Sequence, residues 1–226
     1  LSRERDILVK ERTAHCNRIG GLLATQGIHG YRPLRRDCRV RLEDLKTGDG
    51  RPLPPGLKAE IGRELDRLEL VKQQIAEIEA ARDALLASQD KAPGKLLLQL
   101  RSIGPEIASV LWLEGFYRHF DNRRQLAAFS GLAPSPWRSG NIDHEQGIAK
   151  SGNAKLRTTM IELSWLWLRY QPDSALSQWF RTRVQGNGTR RYRKITIVAM
   201  ARKLLIALWR YVAEGVVPEG AVMKAG

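Results

Sequence analysis

Three small hydroxyls, Ser135, Ser139 and Ser151, stand among Arg138, Lys150, Lys155 and Arg157 in two segments rich in Gly and Pro, Gly131-Leu-Ala-Pro-Ser-Pro-Trp-Arg-Ser-Gly140 and Gly147-Ile-Ala-Lys-Ser-Gly-Asn-Ala-Lys-Leu-Arg157. A serine hydroxyl beside a phosphodiester can act as a nucleophile when cations stabilise the added charge of the transition state. Ser-Gly-Asn-Ala opens a helix-like stretch, so Lys150 and the amides of that helix start form a natural phosphate cradle. These types at this spacing point to Ser139 as a candidate nucleophile, to Arg138, Lys150 and Arg157 as phosphate-neutralising groups, and to Asn153 as the residue that orders the loop. Serine-hydrolase chemistry fits poorly: there is no G-x-S-x-G elbow, and His144 is the one histidine nearby. Trp137, two residues before Ser139, reads equally as a base-stacking side chain or a core anchor. His144 and Glu145 read as an exposed loop tip.

A second motif, Leu100-Arg-Ser-Ile-Gly-Pro-Glu-Ile-Ala-Ser-Val-Leu111, has the helix, tight turn, helix pattern of a helix–hairpin–helix. In such a motif the turn amides face a DNA phosphate, and Gly104 would allow close backbone approach. This copy is degenerate, because Ser102 stands where the first glycine usually falls. The basic stretch from Arg181 to Lys194, which includes Arg190 and Arg191, offers further cations for a nucleic-acid backbone. A smaller basic patch runs from Tyr31 to Arg41, and RNA or a partner subunit are its candidate contacts.

The elements that must position these residues read as helices. Residues 1–26 carry Ile7, Leu8, Ile19, Leu22 and Leu23 at helical spacing, with Gly27 able to end the run. Residues 27–56 are rich in Gly, Pro and Arg and read as a linker. From Leu57 to Ser88, Ile61, Leu65, Leu68, Ile75, Ile78 and Leu85 form a heptad-like seam. Two such helices joined by a linker predict an antiparallel arm or a coiled coil, pairing either within the chain or between copies. Residues 90–94 mark a boundary between an arm (1–90) and a compact domain (91–226). Helices are then predicted at 96–100, 106–113, 123–130, 154–169, 174–183 and 194–213, and no segment alternates convincingly as a strand. The expected fold is therefore mostly α: a helical hairpin or coiled-coil arm followed by a compact all-helical DNA-binding domain.

Charge falls where these motifs are. The 226 residues contain 38 Lys+Arg and 24 Asp+Glu, a net of +14. Residues 1–90 hold 17 and 15, and residues 91–226 hold 21 and 9, so the excess belongs to the second part. A polyanion partner is implied, with nucleic acid foremost. Hydrophobic residues make up 42%, which excludes wholesale disorder. No apolar run reaches the roughly 18 residues of a membrane span, and charged residues rather than an apolar leader follow Leu1. Cys16 and Cys38 form no CxxC and no zinc pattern, which suits reduced thiols in a cytoplasmic, nucleoid-associated protein with no membrane partner.

The same motifs resemble, in order and spacing, the C-terminal domain of the DEDD-type insertion-sequence transposases, the family that includes the bridge-RNA-guided recombinases and the pilin-gene invertase. The resemblance rests on Ile103-Gly-Pro…Ala108, Phe120…Arg124-Gln-Leu-Ala-Ala-Phe-Ser-Gly-Leu-Ala-Pro134, Ser139-Gly140, and Gly147-Ile…Lys150-Ser-Gly-Asn153…Leu156-Arg157. It extends over roughly 96–210, and residues 1–26 and 57–90 resemble the family's connecting segment and coiled coil. It implies that Ser139 attacks a DNA phosphate to form a covalent serine–DNA intermediate during transposition. It also implies a homo-oligomer, in many members a guide RNA, and Mg²⁺ held by four acidic residues of a separate nuclease-like domain. The chain begins after the point where that acidic tetrad is expected to end. No cofactor is therefore expected in this chain, and no independent strand transfer. The alternative is a non-enzymatic DNA-binding module built on the helix–hairpin–helix. A third reading is a scaffold that only oligomerises through 57–90.

Overall fold

A computed structural model of the chain describes residues 1–88, 93–139 and 142–224, with the backbone alone over 135–139 and 142–146. The chain divides into two compact units, Leu1–Arg82 and Asp83–Gly226. Helix dominates both, as the sequence periodicity predicts.

In the first unit, α1 (Ser2–Ala24) and α3 (Pro55–Ala87) are long, and a short α2 (Cys38–Glu43) interrupts the connection that reads as a linker in the sequence. Ile19 and Leu23 of α1 bury against Ile61, Leu65 and Leu68 of α3, and Leu42 and Leu53 from the connection close the cluster. That part of the heptad-like seam is thus satisfied within the chain. Glu64 is almost fully buried at 3% exposure, with Arg18 Nη1 donating to Oε1 at 2.9 Å and His15 Nδ1 2.7 Å from Oε2. Arg67 also reaches it from one turn away. Burial works to raise this carboxyl, but hydrogen bonds from His15, Arg18 and Arg67 and the Arg18 charge hold it down at about 2.

The second unit has one core. Leu97, Leu111, Leu126, Leu156, Met160, Trp167, Met200, Leu204 and Leu208 are among its buried members, and Leu86 from the last turn of α3 belongs to it. The elements are α4 (Pro93–Leu98), α5 (Pro105–Val110) continuing as a π-helix (Leu111–Phe116), α6 (Arg123–Phe129), α7 (Ala154–Tyr170), α8 (Ala175–Gln185) and α9 (Arg190–Glu214). Their starts follow from local chemistry. The side chains of Asn122, Asn153, Ser174 and Thr189 accept from backbone amides in the first turns of α6, α7, α8 and α9. Gly215, at φ 74, ends α9.

The largest departure from the sequence reading lies between α6 and α7. The Gly/Pro segment expected as an irregular loop pairs instead as an antiparallel hairpin, β1 (Pro134–Ser139) with β2 (Ile142–Ile148), and its register shifts between Pro134 and Pro136. Two prolines are tolerated because a two-stranded ribbon leaves outward amides unneeded, and the irregularity sits at the proline pair. The boundary expected at 90–94 falls partly outside the described residues.

Buried Gln171 joins the C-terminal segment to the turn before α5. Its Nε2 donates to the carbonyls of Arg101 (2.6 Å) and Val222 (2.9 Å), and its Oε1 accepts from the Val222 amide (2.7 Å).

Candidate nucleic-acid interface

The two sequence motifs around residue 131 and residue 152 lock into one another. The Asn153 amide donates to the Phe129 carbonyl at 2.8 Å, and the Ala149 amide to the Ala133 carbonyl at 2.9 Å. Gly152 makes this possible. At φ +147, a β-carbon there would lie 2.5 Å from the Phe129 oxygen and 2.8 Å from the Gly131 nitrogen. Asn153 caps α7 through Oδ1, while its Nδ2 donates to the carbonyl (3.2 Å) and carboxylate (2.8 Å) of Glu114 in the π-helix. Arg157 turns inward and donates to the Lys150 carbonyl at 2.9 Å. Asn153 and Arg157 therefore hold the frame from which the hairpin projects.

Lys150, by contrast, is exposed, with φ 57. It lines a groove of about 1550 Å³ together with α9, the start of α6 and the root of the hairpin. Arg190 and Arg191, read from the sequence as part of a loop, are the first two residues of α9 and face the same groove. Lys194, from the same basic stretch, lines it too, and the structure adds five cations that the sequence reading did not single out: Arg123, Arg124, Arg202, Lys203 and Arg210. No carboxylate appears in the described lining. Among the described residues, Arg210 is the one groove cation in an ion pair, with Glu214 at 3.1 Å. Lys203 lies over the Trp179 ring at 4.9 Å. The missed signal was present in α9, where Arg191, Ile195, Val198, Arg202, Ile206 and Arg210 follow one another at steps of three or four.

Ser139 and Arg138 lie toward the far end of the hairpin, where Ser139 pairs with Ile142. Their side chains, and those of Trp137, His144 and Glu145, lie outside the described residues, as does Gly140. Gly104 stands apart from the groove, in the turn between α4 and α5. It is extended (φ −95, ψ 175) as the cap residue of α5, and a β-carbon there would meet open space. The left-handed position of that turn is Ser102, at φ 94, whose buried Oγ has no hydrogen-bond partner.

Among the described residues no three His, Cys, Asp or Glu side chains converge as a metal site. No helix is long and apolar enough to cross a membrane among the described residues.

Within the second unit, residues 94–179 match the family described as "Transposase IS116/IS110/IS902 family". Over 99% of its length the chain is 60% identical to a protein of Sinorhizobium fredii strain NGR234 named "Putative transposase y4rJ", covering 59% of it. It is 32% identical to the "Probable family 20 transposase" of Pseudomonas aeruginosa over 92% of the chain and 61% of the relative. It is 30% identical to the "Transposase for insertion sequence element IS1111A" of Coxiella burnetii over 92% of the chain and 56% of the relative. The chain thus spans a little over half the length of these relatives.

Proposed function

We propose that this chain is the DNA-handling portion of an insertion-sequence transposase, in which the groove seats nucleic-acid backbone and the hairpin presents Ser139 to a scissile phosphodiester. The groove carries the reading: eight cations without a carboxylate partner among the described residues face one channel. Leaving so many like charges together in the free protein is unfavourable, and a bound polyanion relieves it. Ser139 Oγ would bond to phosphorus while the bond from phosphorus to one sugar oxygen breaks. The serine proton passes to solvent, and the departing oxygen leaves as a hydroxyl. Lys150 sits at the root of the hairpin and Ser139 five residues beyond Pro134, which is about 16 Å at strand rise. Exchanging two strands needs more than one such serine, so the working unit is a homo-oligomer. A guide RNA, where one is used, would add a second polyanion.

The test uses a chimera that supplies the part of the Sinorhizobium relative outside the alignment, incubated with DNA bearing ends of its element. The expected result is a denaturant-stable protein–DNA adduct that Ser139→Ala abolishes while DNA affinity stays within a few-fold. Adducts that persist in Ser139→Ala would overturn the nucleophile assignment. Absence of adducts from the parent chimera, with DNA binding intact, would favour the non-enzymatic binding module.

A further inference from the structure

The groove is not lined by cations alone. Leu132, Ile148, Leu176, Ile195, Val198 and Ile206 lie between them. Ile195 is 57% exposed in the free protein, an unusual placement for a large aliphatic side chain in so cationic a channel. Duplex nucleic acid offers such a surface little. Its phosphates lie outside, and its apolar base faces are stacked on one another. An unpaired strand offers both things at once: a backbone for the cations and open base faces for the aliphatics.

On these grounds we infer that the groove takes an unpaired nucleic-acid strand, its phosphates on the arginines and lysines and its bases against Ile148, Ile195, Val198 and Ile206. The inference rests on the nucleic-acid reading above and adds the substrate class. Charge complementarity selects the polyanion, and the exposed aliphatics select the unstacked form. The channel length fits. From Arg190 to Arg210, α9 runs about 30 Å at helical rise, room for a short strand within the usual range of roughly 4–16 nucleotides per site. The spacing explains the mixture as well. Arg191, Arg202 and Arg210 share one face of α9 with Ile195, Val198 and Ile206, so every turn presents an anion contact or an apolar one.

The experiment measures affinities of the chain for a labelled 12-mer of deoxythymidine, a 12-mer of uridine and a 12-base-pair DNA duplex at matched ionic strength. Unpaired strands are expected to bind about tenfold more tightly than the duplex. The two 12-mers show whether DNA or RNA is the better source of the strand. Ile195→Ser and Ile206→Ser are expected to remove most of that preference without weakening duplex binding. Leu70→Ser, equally exposed but in the first unit, is expected to change nothing. Thermal melting of each variant verifies that the fold is retained. Equal binding of strand and duplex, unaffected by Ile195→Ser and Ile206→Ser, would overturn the inference and leave the nucleic-acid reading standing. Failure of all three ligands to bind at low salt would overturn both.

Discussion

Replacing Ser102 by glycine is expected to stabilise the second unit, although the substitution removes atoms. Ser102 holds φ 94, a region that L side chains rarely adopt. Releasing that conformation is worth roughly 1–2 kcal/mol. Its Oγ is buried without a hydrogen-bond partner, and removing such a group recovers roughly 1–3 kcal/mol. Against these stands the extra freedom glycine gives the unfolded chain, about 0.4–1 kcal/mol. The net is a gain of about 3 kcal/mol, or a rise of roughly 9 °C in Tm for a unit of this size. Ser102→Ala separates the causes. It removes the hydroxyl but keeps a β-carbon at positive φ, so it should gain about 1 kcal/mol less than Ser102→Gly. Urea unfolding followed by tryptophan fluorescence isolates the effect, because all 6 tryptophans lie in Asp83–Gly226. A Ser102→Gly chain no more stable than the parent, or an alanine variant more stable than the glycine one, would refute the reasoning.

Three further outcomes follow from the same structure. Gly152→Ala should cost about 3 kcal/mol or more, since the new β-carbon meets backbone atoms of Phe129 and Gly131 at a positive φ; tryptophan fluorescence in urea reads it, and an unchanged midpoint would show that the two motifs can separate freely. Glu64 lies well below its ordinary 4.5, at about 2. It therefore contributes about 3 kcal/mol that is present above pH 4.5 and lost as pH falls through 2. Far-UV circular dichroism of the first unit's helices on acid titration should show this loss, and Glu64→Gln should flatten it. Arg191→Ala and Arg202→Ala should each reduce the log–log salt slope of nucleic-acid binding by about one unit, and a slope that stays the same would place the backbone elsewhere.

Much of the architecture was legible in the chain itself. Helical spacing placed the helices of the second unit within a few residues, and the caps that set their ends, Asn122, Asn153, Ser174, Thr189 and Gly215, are local in the structure. Such signals are local, because a cap acts on the next three amides and a periodic face on its own helix. The hairpin was not legible. Its prolines and glycines argue against a strand when read singly, and the extended state comes from the pairing of 134–139 with 142–148, a partner that local sequence does not show. The short α2 was hidden for a similar reason, since Leu42 needs the partners it meets in the first unit's core.

The sequence also announced what kind of partner to expect. An excess of cations in residues 91–226, and two Gly-rich motifs around serine and lysine, were sufficient to suggest phosphate chemistry. They could not say which of those residues meet a ligand. Asn153 and Arg157 carry the right chemistry for phosphate, yet their hydrogen bonds go to Glu114 and to Lys150's carbonyl. Arg123, Arg124, Arg202 and Arg210 lie far apart in sequence, or look like the solvated face of a helix, until folding sets α6, the hairpin root and α9 around one channel. Composition and local pattern determined the longer helices, their caps and the sign of the charge, because those depend on neighbours in sequence. The groove, the structural duty of Asn153 and Arg157, and the orphaned hydroxyl of Ser102 were decided by tertiary packing, because each depends on atoms brought close only by the fold.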